Sequence, residues 1–207
     1  MRIRIGGAWI AATTLVASTT ASEAHIIAAR LGDFYVGAVH PLTDLHDIVL
    51  WLAIGILGGS LGASKGRLLV LVFPLGLLAG LFLVASLGFA LSESPALPAA
   101  MILLTGLLLA AATPVPATLL CIIVFALAAV RGAANASNLE PETNRLLFAA
   151  GLASAGYAVT TLIMALALTF QRPASDGPTA WRTIAVRALG GWVAAIGLMM
   201  TGLAFAS

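Results

Sequence analysis

Charge is what this sequence has least of. Of 207 residues only 9% are Asp, Glu, Lys or Arg, while 61% are hydrophobic, and the mean hydropathy is +1.08. Soluble domains carry roughly 25% charged residues, so a soluble globular domain and a disordered chain are both excluded. Cysteine is nearly absent as well. Cys121 stands alone in an apolar run, which excludes an internal disulfide and leaves it as a small hydrophobe. Ten bases against eight acids give a net charge of +2, with no basic patch, so no nucleic-acid partner is expected. Histidine is missing from all but one window, and no Walker loop, dinucleotide fingerprint or GxSxG occurs. No permanently bound cofactor is therefore expected.

What remains is a polytopic membrane protein. Residues 1–24 read as a secretory signal peptide: Arg2 and Arg4, an apolar stretch from Ile5 to Val16, then a small and polar segment ending Ser22-Glu23-Ala24. The apolar stretch is too short to span a bilayer core, which takes about 20 residues. Cleavage after Ala24 makes His25 the mature N-terminus; an uncleaved anchor is the alternative. The expected organisation is a single transmembrane helical domain over 25–207. It is all-α, because a bilayer offers backbone polar groups no partner outside their own helix, and the alternation of a membrane barrel is absent. About six spans are expected, at 46–64, 68–91, 96–112, 115–130, 146–170 and 183–205. The third and fourth are short, and Thr113-Pro114-Val115-Pro116 between them predicts a tight helical hairpin.

With a cleaved signal, the mature N-terminus faces the periplasm. Lys65, Arg67, Arg172, Arg182 and Arg187 then fall on or near inner loops, against Arg131 and Arg145 on outer loops after the first span, and Arg30 before it. That bias agrees with the positive-inside rule and with a multi-pass protein of the bacterial inner membrane. Glycines (Gly55, Gly58, Gly59, Gly62, the pair Gly76 and Gly80, and Gly190 with Gly191) put small residues on helix surfaces. They predict close helix packing within the protomer, with a homo-oligomer through the glycine-rich faces as the alternative.

The polar residues concentrate in one window. All three histidines (His25, His40, His46) and three of the four aspartates (Asp33, Asp44, Asp47) lie within residues 25–47; Glu93, Glu140, Glu142 and Asp176 read as loop acids. Imidazole and carboxylate together suit borderline divalent ions. If the chain is helical from Pro41, His40, Asp44 and Asp47 form one stripe at i, i+4 and i+7, while His46 points about 120° away. A distorted first turn, or a second element carrying His25, is then needed to gather the set. The competing reading is capping: Thr43 or Asp44 as N-cap and Asp47 as the capping-box acid. Capping explains the aspartates but not two histidines where the chain enters the membrane. The candidate metal ligands are His25, His40, Asp44, His46 and Asp47. A free amine at His25, beside its own imidazole, adds a chelating pair suited to copper or nickel.

The signal peptide, the terminal His25, the block His40-Pro41-Leu42-Thr43-Asp44-Leu45-His46-Asp47 and six spans resemble the HupE/UreJ family of membrane proteins. Its first-helix motif looks like His-Pro-x-x-x-x-Asp-His; His40-Pro41 matches the start, and His46-Asp47 carries the last two types in reversed order. The segment Leu31 to Gly37, followed by His40, is similar to a divergent branch. A second motif, His-Gly-x-x-His/Asn-Gly, falls on Arg131-Gly132-Ala133-Ala134-Asn135-Ala136. Only Gly132 and Asn135 fit, and a fixed cation replaces the leading His. The resemblance implies a secondary permease for nickel or cobalt, with the ion as cargo and the lipid bilayer as the other partner. Arg131, at the outer end of the fourth span, is expected to pair with an acid or to oppose cations. A non-transporting metal sensor, chaperone or assembly partner, copper included, is the alternative. An enzyme is not expected, since spans two to six offer no nucleophile with a base.

Overall fold

The computed structural model describes residues 32–87, 94, 96–111, 115–137, 139–172 and 180–206. The expected signal peptide and His25 lie outside these residues. The described residues form seven helices and no strand. They are α1 (Gly32–Leu42, its last turn a 3-10 turn over His40–Leu42), α2 (Leu45–Ser60), α3 (Ala63–Leu87), α4 (Ala96–Ala111), α5 (Ala117–Ser137), α6 (Arg145–Gln171) and α7 (Ala180–Ala206). The chain is an all-helical membrane bundle. Below, the end that carries the α1–α2 junction is the His40 end, and the end with the α2–α3 turn is the Lys65 end.

Six apolar helices, α2 to α7, correspond to the six expected spans, but they differ in length. Four are long and apolar enough to cross a bilayer, over Ala63–Val84, Ala117–Ser137, Arg145–Gln171 and Trp181–Ala206. The helices α2 and α4 have 16 residues each, about 24 Å at 1.5 Å per residue, less than a hydrocarbon core of about 30 Å. With α1, α2 makes a span broken by a 79° bend, which gives up to five candidate spans among the described residues, with the shorter apolar α4 beside them.

Short α2 is the hub of the bundle. It packs on α3, α4, α6 and α7, and Leu50, Trp51, Ala53, Ile54 and Leu57 are buried on it. Glycine makes this crowding feasible. A Cβ on Gly55 would meet the Ile163 side chain at 2.7 Å, and one on Gly59 would meet the Met164 carbonyl at 2.9 Å, both on α6. Gly76 and Gly80 of α3 lie against α5, where a Cβ on Gly76 would come within 2.6 Å of the Phe125 carbonyl. Gly106 and Gly190 likewise close the α4–α7 contact. The packing reading of the glycines therefore holds within the protomer, with two exceptions. Gly62 is the α2–α3 turn residue, at φ +85°, a conformation that favours glycine, and Gly191 faces open space.

Thr113 and Pro114 of the expected hairpin lie outside the described residues; the helices on either side of it pack chiefly elsewhere, α4 on α7 and α5 on α3. Helix α5 runs on to Ser137, seven residues beyond the expected end at 130. Arg131, counted above with an outer loop, is instead a buried helical residue, 5% exposed. Two causes are visible: Gly132 lets α5 stay against the Leu77 backbone of α3, and the charge of Arg131 is neutralised by carboxylates of α2.

Candidate metal-handling site at the α1–α2 junction

The His40-to-Asp47 block does not continue one helix. Pro41 sits in the 3-10 turn that ends α1, and Thr43 closes it by donating its hydroxyl to the His40 carbonyl at 2.7 Å. Asp44 follows with extended backbone, φ −90° and ψ 119°, and caps α2: its Oδ1 accepts from the His46 amide at 2.9 Å. The stripe of His40, Asp44 and Asp47 is therefore broken by the bend, and the distorted turn is the geometry found. Asp44 does cap, as the competing reading required, yet it also accepts a hydrogen bond from Arg131 of α5.

Arg131 is what gathers the aspartates. Its Nε donates to Asp47 Oδ1 at 2.7 Å, and its Nη2 donates to Asp47 Oδ2 at 3.0 Å and to Asp44 Oδ2 at 2.6 Å. Asp47, the capping-box acid of the competing reading, is held instead as a two-point guanidinium partner, a strong and directional arrangement. It is 1% exposed. Asn135, one turn further along α5 and 4% exposed, donates to Asp47 Oδ2 at 3.4 Å and to the Arg131 carbonyl at 2.8 Å. His46 Nδ1 lies 3.1 Å from Asp44 Oδ1. Both carboxylates also stand at the N-terminus of α2, where the helix dipole favours negative charge.

His40 belongs to a neighbouring space. A cavity of about 270 Å³ is lined by Asp33, Val36, His40, Asn135, Glu140 and Thr143, among others. Asp33 holds this wall in place by accepting from the Asn144 amide at 2.9 Å, which ties α1 to the start of α6. Gly37 and Gly151 bring those two helices into backbone contact, against the Phe148 and Phe34 carbonyls respectively. Asn135 faces both the cavity and Asp47, so the imidazole-bearing cavity and the buried cluster share one wall.

Of the five expected ligands, the structure brings Asp44, His46 and Asp47 together around Arg131. It places His40 in the adjacent cavity, and His25 lies outside the described residues. Among the described residues, no three His, Cys, Asp or Glu side chains are grouped so as to hold a metal ion. Three participants escaped the sequence reading in whole or part. Asp33 lies in the polar window without being among the expected ligands, and Glu140 reads in sequence as a loop acid. Arg131 was expected to pair with an acid, but as a boundary residue rather than as the centre of the cluster. The signal for Arg131 was present: a base followed by the helix-compatible run Gly132-Ala133-Ala134-Asn135 has to be neutralised if the helix stays in the bilayer.

A family model described as HupE / UreJ protein matches residues 12–200. The chain belongs to the HupE/UreJ family. No curated protein and no solved structure matches it. Within this HupE/UreJ chain, the matched segment contains the whole α1–α2 junction and all of α5. The two motif regions noted in the sequence, at 40–47 and 131–136, meet in space through the bonds of Arg131 and Asn135 to Asp44 and Asp47.

Proposed function

We propose that this HupE/UreJ protein is a nickel or cobalt permease of the bacterial inner membrane, working by secondary or facilitated transport with its mature N-terminus in the periplasm. One observation carries the reading: a fully buried carboxylate, Asp47, lies inside a membrane helix bundle one residue away from a cavity that holds an imidazole and two further carboxylates. Ionisable groups buried in membrane bundles are costly and mark ion pathways. In this scheme His25, His40, Asp33 and Glu140 attract a divalent ion at the outer face. Asp44, His46 and Asp47 take it over at the head of α2. Imidazole ligates only when neutral, so protons compete with the ion and uptake weakens in acid. No nucleotide-binding motif is present in the sequence, which is why transport is assigned to a gradient or to facilitation.

The test is accumulation of nickel and cobalt in cells expressing the wild type, His40→Ala or His46→Ala. Accumulation is expected in the wild type and is expected to fall to the empty-vector level in both variants at equal membrane abundance. Undiminished accumulation in both variants overturns the site. A metal-binding accessory role is the second reading, favoured by the engagement of both aspartates with Arg131. It predicts metal bound to purified protein without flux into vesicles.

A further inference from the structure

Formal charges in the cluster do not balance. Asp44 and Asp47 bring two negative charges and Arg131 one positive charge, so the group carries one negative charge in excess when His46 is neutral. The buried Asp47–Arg131 pair balances itself, and the excess sits on Asp44, whose side chain is 36% exposed; a net negative charge at this mouth of the bundle draws a cation from solution. The way in is also marked. Asp47 Oδ1 is held tightly at 2.7 Å, whereas Oδ2, the oxygen shared with Asn135, is held by the two longest side-chain contacts Asp47 makes, 3.0 Å and 3.4 Å. That looser oxygen is next to the residue that lines the His40 cavity.

We propose that Arg131 is a tethered counter-cation and the specificity-determining residue of the site: its guanidinium occupies the place of the cargo, and a divalent ion displaces it from Asp47. Replacing one positive charge by two brings the carboxylate pair to neutrality, while a monovalent ion gains nothing over the guanidinium it would evict. Magnesium keeps its water and prefers an all-oxygen shell, whereas nickel and cobalt accept the imidazole that His46 offers beside Asp44. Cavity acids Asp33 and Glu140 are available to receive the displaced guanidinium. The identity of the cargo rests on the permease reading; the exchange of charge does not.

Two measurements on purified full-length protein test the exchange without using flux. Nickel titration is compared for the wild type, Arg131→Gln and the double variant Arg131→Gln/Asp47→Asn. The expected result is at least a tenfold lower Kd in Arg131→Gln, with that gain lost in the double variant. Since Arg131→Gln leaves two carboxylates without their partner and can fail to fold, the wild type is also labelled with phenylglyoxal and the arginines are read by mass spectrometry. Saturating nickel is expected to raise labelling of Arg131 several-fold relative to exposed Arg145, with potassium and magnesium giving no increase. Unchanged labelling of Arg131 in nickel overturns the proposal, as does an Arg131→Gln Kd equal to that of the wild type. Nickel-dependent labelling in a protein that moves no nickel across vesicles would sink the permease reading and leave the exchange standing.

Discussion

At the His40 end of the bundle, α2 and α5 meet through charge, with Asp44 and Asp47 on one helix and Arg131 and Asn135 on the other. At the Lys65 end, neighbouring helices meet through glycine: Gly58 faces Gly66 across the α2–α3 turn, and Gly59 lies against Ala167 of α6. The cavity at the Lys65 end, about 110 Å³, is lined among the described residues mainly by leucine and valine with Ser60, Gln171, Thr183 and Arg187, and by no carboxylate. Among the described residues, two carboxylates and an imidazole line the cavity at one end, and a fixed base lines the cavity at the other. Packing through glycine needs no charge and binds no ion; packing through carboxylates stabilises only while a cation is supplied. The protein supplies its own in Arg131, which makes the His40 end both a structural joint and a chemical site.

Removing one side of the joint should have the largest effect. Asp47→Ala leaves Arg131 buried without its two-point partner and is expected to cost about 3–5 kcal/mol, seen as lost folded protein in detergent unfolding. Replacing both partners, as Asp47→Ala/Arg131→Met, should recover most of that stability while abolishing nickel binding, because an apolar pair has no charge to compensate. A double variant as unstable as the single one would show that the joint is more than an ion pair.

Glycine packing should respond to volume instead of charge. At the Lys65 end a Cβ at Gly59 or Gly66 would run into the Met164 or Gly58 backbone carbonyl, so Gly59→Val and Gly66→Val are each expected to cost about 1–3 kcal/mol. Thermal unfolding in detergent measures this. Asn144 accepts from the Leu146 and Leu147 amides as the N-cap of α6. Asn144→Ala is expected to cost about 1 kcal/mol, with faster hydrogen exchange confined to the first turn of α6. Gly191 has nothing within 4 Å, so Gly191→Ala should change stability by less than about 0.5 kcal/mol. A large loss there would reveal a helix contact made by a second copy.

Much of the fold was legible because a bilayer forces apolar runs into helices: α2 to α7 follow the six hydrophobic stretches, and Pro116 stands at the start of α5. Lengths were less legible. Local spacing alone cannot show that Arg131 has its partner 84 residues away in Asp47, and without that partner a base reads as the end of a span. For the same reason Glu140 reads as a loop acid, although the cavity it shares with His40 is made by two stretches of chain about a hundred residues apart, 33–40 and 135–148. The capping role of Asp44 was readable because it is local. Its second role, as a partner of Arg131, was not.

The most direct measurement is nickel uptake into proteoliposomes containing equal amounts of wild type or His46→Ala protein. Wild-type vesicles are expected to fill with nickel above the protein-free level, and His46→Ala vesicles to stay at that level. Equal filling by both proteins would contradict the assignment of the His40 end as the metal-handling site, and wild-type vesicles that fill no faster than empty ones would contradict transport itself.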